Sequence, residues 1–385
     1  MRVTHVITRL IVGGAQENTI ASVLGLRQKH GLEVHLISGP TSGPEGSLEP
    51  SVSQIPGLFT RIPELVRPVS PWQDWQARRR LVRLFRQQQP DIVHTHSGKA
   101  GIVGRLAARR AGVPVIIHTI HGPSFGAFQS GLANLVFRAA ERAAGRVTTH
   151  FVTVANAMAR QYLDARIGSP HKFTRIVSGF DLHPFLTARN DLALRARLGI
   201  NGQDFVVGKI ARLFKLKGHD DLFEAAPELV ARCPHIKFLL VGDGEWRLRF
   251  EARARQMNLE DRFIFAGLVP PADVPGLIGI MDAVAHLSRR EGLARALPQA
   301  LAAAKPVVAY DSDGANEVCL DGQTGFLVPP GNLRILVDRI AELSADPGLR
   351  KRLGQHGQAL VSRWFPVEKM VEDLYGLYQR LLSAT

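Results

Sequence analysis

The chain has 385 residues, 45% of them hydrophobic, with 48 Lys and Arg against 34 Asp and Glu, a net charge of +14. That length suits about two domains, each with its own core, and the composition excludes a disordered, collagen-like or disulfide-scaffold protein. The charge is lopsided: residues 1–180 hold 22 basic and 9 acidic side chains, the remainder 26 and 25. The N-terminal half therefore calls for an anionic partner: membrane phospholipid, a lipid diphosphate or nucleic acid. No helix-turn-helix, zinc or aromatic RNA-binding signature accompanies the charge, so no nucleic acid is expected. Cys233 and Cys319 are far apart without metal-ligand spacing, as in reduced core residues of a cytoplasmic protein. No apolar run reaches the ~18 residues of a membrane span.

In chain order, Arg2 to Leu10 reads as a first strand, since Thr4, His5, Thr8 and Arg9 interrupt the apolar run a signal peptide would need. Gly13-Gly14 turns the chain into a helix from Ala15 (Ile20, Val23, Leu24), either a plain tight turn or a ligand loop. It is not G-x-G-x-x-G, so a dinucleotide site is not implied. Glu33 to Ser38 is a second strand, and residues 39–58, rich in Gly, Pro and Ser, are expected as a long mobile loop. A basic helix follows, with Leu81, Val82 and Phe85 on one face, Arg78, Arg79, Arg80, Arg83 and Arg86 around it, and Trp72 and Trp75 at its entrance. It fits either an anionic membrane surface or the solvated outside of an α/β domain. The next strand ends in His94 and His96; the H-x-H could bind zinc, but no third ligand stands nearby in sequence, so no metal is expected. A further strand brings His121 to its end, ahead of Gly122-Pro123. The approach to the second domain is FTRIVSGFD, residues 173–181.

There a strand from Phe205 to Ile210 leads to Arg212, Lys217 and Gly218 before a helix. Two cations on such a loop can clamp a diphosphate, Arg as a fork and Lys as a point charge. The strand in KFLLVGDGEW ends in Gly242-Asp243-Gly244, and FIFAGLVP carries Leu268 just past the next strand. Then comes HLSRREGLARALPQALAAAKPVVAYDSDGANE, from His286 to Glu317. Leu297, Ala300, Leu301 and Ala304 have helical spacing, Pro298 is tolerated only near a helix start, and the helix therefore begins near Arg295. Val307 to Tyr310 is a buried parallel strand. The loop between offers the amides of Gly292, Leu293 and Ala294 and the charges of Arg289, Arg290 and Arg295 to an anion, with Glu291 to accept from sugar hydroxyls. Asp311-Ser312-Asp313 is a D-x-D, a possible metal ligand pair or a turn cap. WFPVEKMVEDLYGLYQRLL is an amphipathic terminal helix (Phe365, Met370, Leu374, Leu377, Leu381).

Glu291 and Gln299 stand where the E-x7-E signature of family 4 glycosyltransferases has two glutamates, and nearly the whole chain resembles that family. The glycine pair, the DIVHTHS strand, Arg212 with Lys217, the GDG turn and the D-S-D-G-A-N-E turn follow in the family's order. The resemblance implies a GT-B fold: two doubly wound parallel-sheet α/β domains facing across a cleft. It implies an N-terminal acceptor domain (1–182), a C-terminal nucleotide-sugar domain (183–362) and a terminal helix (363–385) crossing back to the N-terminal domain. Glu291 and His121 would contact the donor sugar, Arg212 and Lys217 its diphosphate. Gly13, Gly14, Gln16, Gly242, Gly244, Leu268, Arg290, Gly292, Leu293, Ala294 and Gln299 would line the rest of the donor site. Gln299 departs from the pattern: a neutral amide replaces charge-assisted bonds of ~1.5–3 kcal/mol by bonds of ~0.5–1.5, weakening ribose binding.

The implied activity is retaining and metal-independent transfer from a nucleotide-diphosphate sugar, UDP favoured over GDP, with no cofactor. The acceptor would be a glycan or polyprenyl-diphosphate-linked sugar in polysaccharide or glycolipid synthesis. The enzyme would be cytoplasmic, with peripheral attachment to the inner face of the plasma membrane open. No protein nucleophile stands out, which agrees with front-face attack by the acceptor. The alternatives are a catalytically weak or inactive sugar-nucleotide-binding or scaffolding protein, suggested by Gln299, and an epimerase or phosphorylase on the same fold.

Overall fold

The computed structural model describes residues 1–43, 46–126 and 128–384. Contacts divide the chain into two units, residues 1–180 with 367–385, and residues 181–366. The first unit holds β1 (Arg2–Ile7), β2 (Glu33–Ser38), β3 (Phe59–Arg61), β4 (Ile92–His96), β5 (Val115–Ile120), β6 (His150–Thr153) and β7 (Phe173–Arg175). These pair in parallel in the order β3-β2-β1-β4-β5-β6-β7. The second holds β8 (Phe205–Ile210), β9 (Ile236–Val241), β10 (Phe263–Gly267), β11 (Ala283–His286), β12 (Val307–Tyr310) and β13 (Gly325–Val328). Their order is β10-β9-β8-β11-β12-β13, again parallel throughout. In both sheets the strand order reverses beside the first strand, at β1/β4 and at β8/β11, while every pair stays parallel. Loops leaving those neighbours go to opposite faces and open a crevice at the strand ends, where doubly wound sheets bind ligands.

Continuous apolar strands suit sheets covered on both faces. Successive side chains of β1 go to opposite sides: Val3 and Ile7 join Leu26, Ile92 and Ile117 in one core, while Val6 joins Leu81, Phe85 and Val93 in the other. The first of these cores is closed by Met370, Leu374, Leu377 and Tyr378 of the terminal helix, whose apolar stripe repeats at three- and four-residue spacing. In the second unit Phe223, Phe238, Phe250 and Phe263 stack through the core beside Val207 and Leu336.

Two expectations change. The terminal amphipathic stretch is not one helix from Trp364: a helix Pro347–Trp364 ends there and the terminal helix runs Val367–Ser383. Pro366 disfavours helical backbone at the residue before it, so Phe365 leaves the helix and packs, 1% exposed, in the second unit. The stretch 39–58, expected as a mobile loop, includes Pro44 and Glu45, which lie outside the described residues. Elsewhere it forms a short helix, Pro50–Ser53, pinned because Val52 and Leu58 are fully buried.

The helix Gly131–Arg146, which sequence periodicity did not single out, docks by charge. Arg105 and Glu141 are both completely buried and joined at 2.6 Å. Arg105 also donates to the Gly101 carbonyl at 2.7 Å and to Thr148 Oγ1, and Glu141 accepts from Ser124 at 2.9 Å. Removing one partner of a buried pair leaves the other charge uncompensated, at a cost of about 3–5 kcal/mol. Glu141→Ala and Glu141→Gln both leave the buried Arg105 charge without its counter-charge, so each should lower the urea unfolding free energy by about that amount.

Candidate active site

The second unit's switch point assembles most of the predicted donor residues. β8 and β11 are neighbours in register, Val207 beside Ala283, so their following loops meet. The β8 loop reaches its helix, His219–Arg232, through Gly218. Gly218 has φ +69°, and a Cβ there would come within 1.9 Å of the Leu287 carbonyl oxygen. Only glycine lets this turn lie so close to the β11 loop. The result is an ion pair: the Lys217 ammonium donates to Glu291 Oε1. Ser288 Oγ reaches the same oxygen at 3.3 Å. Burial pushes the Glu291 carboxyl up, but the Lys217 ammonium outweighs it and holds the carboxyl below its usual range.

Around this pair the loop is held by its own polar groups. Asp313 Oδ2 accepts the Glu291 amide at 2.7 Å, Ser312 Oγ donates to the Ser288 carbonyl at 2.7 Å, and Gly314 donates to the Gly292 carbonyl at 3.1 Å. Asp311 accepts from Asn316 at 3.0 Å. Both aspartates of the D-x-D are thus turn-forming groups here. Asp221 accepts from Arg289 at 2.9 Å and from the Tyr310 hydroxyl at 2.8 Å, which ties Arg289 to the first turn of the helix after Gly218. Arg212 is exposed, its guanidinium 5.6 Å from the Phe214 ring.

Gly242 and Gly244 work through packing: a Cβ on either would come within about 2.5 Å of the backbone at Ala211 or Leu213. They let the β9 loop lie against the segment carrying Arg212. Leu268 is exposed just past β10. Gly292 and Leu293 are buried, and Arg290 and Ala294 partly so, in the β11 loop. The helix after it is short, Ala296–Ala302, with Arg295 at its cap and partly buried Gln299 within it. Sequence reasoning missed Lys209. It sits on β8, 1% exposed, with no hydrogen-bond partner for Nζ among the described residues. Burial, with the Lys217 charge, lowers its ammonium to about 7. A lysine within the apolar run VVGKI was the available signal.

In the first unit the helix Gly14–His30 starts one residue earlier than expected, and the Gln16 side chain lies back over Gly13. Beyond it lies a polar core. His5 is the register partner of His94 across β1 and β4, so the H-x-H does acquire a third histidine, from a strand remote in sequence. One ring nitrogen from each of His5, His94 and His96 falls within a 4.8 Å group. The expectation that no third ligand stands near is therefore corrected, because strand pairing supplies it. Both nitrogens of each ring are nonetheless engaged in hydrogen bonds. His94 and His96 stack at 4.5 Å and 25°. His121, past β5, bonds to His96 at 3.1 Å.

Residues 12–183 match the family described as Glycosyltransferase Family 4, and residues 190–360 match Glycosyl transferases group 1. The chain belongs to the family 4 glycosyltransferases. It is 29% identical over 322 residues, 82% of either chain, to the UDP-Gal:alpha-D-GlcNAc-diphosphoundecaprenol alpha-1,3-galactosyltransferase of Escherichia coli. It is 23% identical over 369 residues, 93% of this chain and 92% of the other, to the capsular polysaccharide biosynthesis glycosyltransferase CapM of Staphylococcus aureus. The structure of Anabaena Alr3699/HepE in complex with UDP-glucose matches all of both chains with a TM-score of 0.82 and 25% identity. Sucrose-phosphate synthase from Thermosynechococcus elongatus, 20% identical, matches with a TM-score of 0.84 over 100% of both chains and shows the same GT-B fold.

This glycosyltransferase buries several neutral imidazoles. Burial lowers His5 to about 3 and His121 to about 4, and takes His94, His96 and His118 well below the ordinary 6.5. Their folded values lie below the unfolded one, so the unfolded chain binds more protons once the pH drops under 6.5. The stability these residues allow is present above that pH and is lost as the pH falls through the folded values. Each contributes a slope approaching ~1.4 kcal/mol per pH unit. The urea midpoint should be flat above pH 7 and fall steeply between pH 6 and 4, and His118→Asn should reduce that slope.

Proposed function

We propose that this glycosyltransferase moves a hexose or N-acetylhexosamine from a nucleotide-diphosphate sugar, UDP in preference to GDP, with retention and without a metal. The acceptor is a glycan or polyprenyl-diphosphate-linked sugar in cell-surface polysaccharide or glycolipid synthesis. The observation that carries this reading is the Lys217–Glu291 pair at the β8/β11 switch point. It sets a cation suited to a departing diphosphate beside a carboxylate suited to sugar hydroxyls. Lys217 and Arg212 stabilise charge developing on the leaving group, while Glu291 aligns the sugar, so positioning supplies much of the rate. His121, Gly13, Gly14 and Gln16 contribute contacts to the donor sugar and phosphate. The internal hydrogen bonds of Asp311 and Asp313 favour the metal-free reading. UDP is favoured because the Escherichia coli relative is named for UDP-Gal and the Anabaena structure contains UDP-glucose.

Calorimetry with UDP, GDP and ADP in chelator tests it. UDP should bind, and Arg212→Ala or Lys217→Ala should weaken it about 10- to 100-fold, as for a lost charge-assisted bond. Binding only with added divalent ion would overturn metal independence, and GDP alone would overturn the donor class. Binding of no nucleotide would overturn the diphosphate clamp at Arg212 and Lys217 and leave a scaffolding protein without a donor site.

The acceptor reading extends to the membrane. No helix among the described residues is long and apolar enough to cross one. The first 180 residues instead carry the excess positive charge, and they expose apolar side chains. Trp72 and Trp75 stack at 5.0 Å at the start of the helix Pro71–Gln88, and Leu132, Leu135 and Val136 are exposed on the helix Gly131–Arg146. Anionic lipid complements both features. In flotation assays the protein should rise with phosphatidylglycerol vesicles and not with phosphatidylcholine alone, and Trp72→Ala/Trp75→Ala should reduce recovery. Equal recovery with both lipids would sink the docking reading.

A further inference from the structure

We propose that Tyr378 of the terminal helix is a positioning residue for His121, holding it in the Nε2–H tautomer through a chain of buried imidazoles. The links are all within the first unit. His121 Nε2 meets His96 Nδ1 at 3.1 Å, and His96 Nε2 meets His5 Nδ1 at 2.9 Å. His5 Nε2 meets the Tyr378 hydroxyl at 3.5 Å, that hydroxyl meets His94 Nδ1 at 2.5 Å, and His94 Nε2 meets Thr119 Oγ1 at 2.6 Å. His5, His94 and Tyr378 are fully buried and His96 is 1% exposed.

A neutral imidazole has one N–H and one lone pair. Every ring nitrogen of His5, His94 and His96 has a partner in the chain, so from His5 to His121 choosing the direction of one link fixes the others. The tyrosine hydroxyl can donate to His5, donate to His94, or accept from both, and the last two leave His121 with the same tautomer. In the first, Thr119 donates to His94 and the chain runs outward until His96 Nδ1–H donates to His121 Nε2, which leaves His121 with a proton on Nδ1. In the second, the order reverses: His121 Nε2–H donates to His96, His96 to His5, His5 to Tyr378, Tyr378 to His94 and His94 to Thr119. His121 then keeps a bare Nδ1.

The two contacts of the tyrosine hydroxyl decide between them. O–H donors make shorter bonds than N–H donors, and the hydroxyl has a single proton. The contact with His94 Nδ1, at 2.5 Å, is the one that suits an O–H donor, while the 3.5 Å contact with His5 would waste it. The second arrangement follows. His121 Nδ1 is an acceptor, matched to a sugar hydroxyl. This assignment rests on the reading of His121 as a donor-sugar contact, but the tautomer itself can be measured without that reading.

Long-range proton–nitrogen correlation spectra of the full-length protein labelled with 15N-histidine report each tautomer, and a His121→Gln spectrum identifies the His121 signals. The wild type should show His121 as Nε2–H alone. Tyr378→Phe keeps the ring and removes the link, so His121 should become a mixture of both tautomers. Donor-sugar KM should rise roughly three- to tenfold, as for one lost hydrogen bond, while UDP affinity stays unchanged. Thr119→Val should give the same mixture from the far end of the chain, and Thr119→Ser should restore the single form. A wild-type Nδ1–H form, or a His121 tautomer unmoved by both Tyr378→Phe and Thr119→Val, would overturn the proposal. If Tyr378→Phe does not fold, the Thr119 pair decides alone. An altered tautomer with unchanged KM would retain the chain and remove His121 from the donor site.

Discussion

The Lys217–Glu291 ion pair is the interaction around which the second unit's candidate site is arranged. It exists because β8 and β11 lie side by side and because Gly218 lets the first loop press against the backbone of the second. Each partner is fixed by the other before a ligand arrives, so the rotamer freedom that binding would otherwise remove is already spent. The surrounding groups extend the same logic. Asp313 anchors the Glu291 amide, Asp221 anchors Arg289, and Gly242 and Gly244 allow the β9 loop to support the Arg212 segment. Each of these contacts ties one strand-end loop to another or to the helix that follows it. The site is a property of the sheet order rather than of any single loop.

The first unit solves a different problem at its own switch point. Its central strands carry histidines and threonines where a covered parallel sheet would ordinarily be apolar. Burial alone would make such groups costly. They are tolerated because the imidazoles are neutral and because both nitrogens of His5, His94 and His96 are paired within the network, with a tyrosine from the terminal helix completing it. A fully satisfied buried network is geometrically demanding, since rotating one ring strands the nitrogens of the next. The price of that rigidity is sensitivity to acid. The neighbouring Arg105–Glu141 pair follows the same principle with full charges.

The fold class was legible in the sequence because alternating short apolar strands and amphipathic helices are local patterns. So were the individual site candidates: Lys217-Gly218 between a strand and a helix, Glu291 in a turn ahead of Pro298, His121 at a strand end. Several features were not. The helix Gly131–Arg146 escaped because its exposed leucines and buried glutamate invert the usual amphipathic pattern. The terminal stretch read as one helix because hydrophobic spacing continues across Pro366, while the backbone restriction on Phe365 does not show in that spacing. Lys209 looked like an interruption in a buried strand, and its place beside the cation site depends on what packs over β8.

By itself the sequence determined element types, the turns that require glycine or proline, the uneven charge and the kinds of side chain near each strand end. All of these follow from propensity and periodicity within a few residues. Only the tertiary structure decided which side chains meet. Lys217 and Glu291 are 74 positions apart, and His5 and Tyr378 are separated by 373. Parallel pairing and the return of the terminal helix bring them within hydrogen-bond reach. Sequence spacing carries no record of such distances, because it is the burial of both sheet faces that selects the strand order.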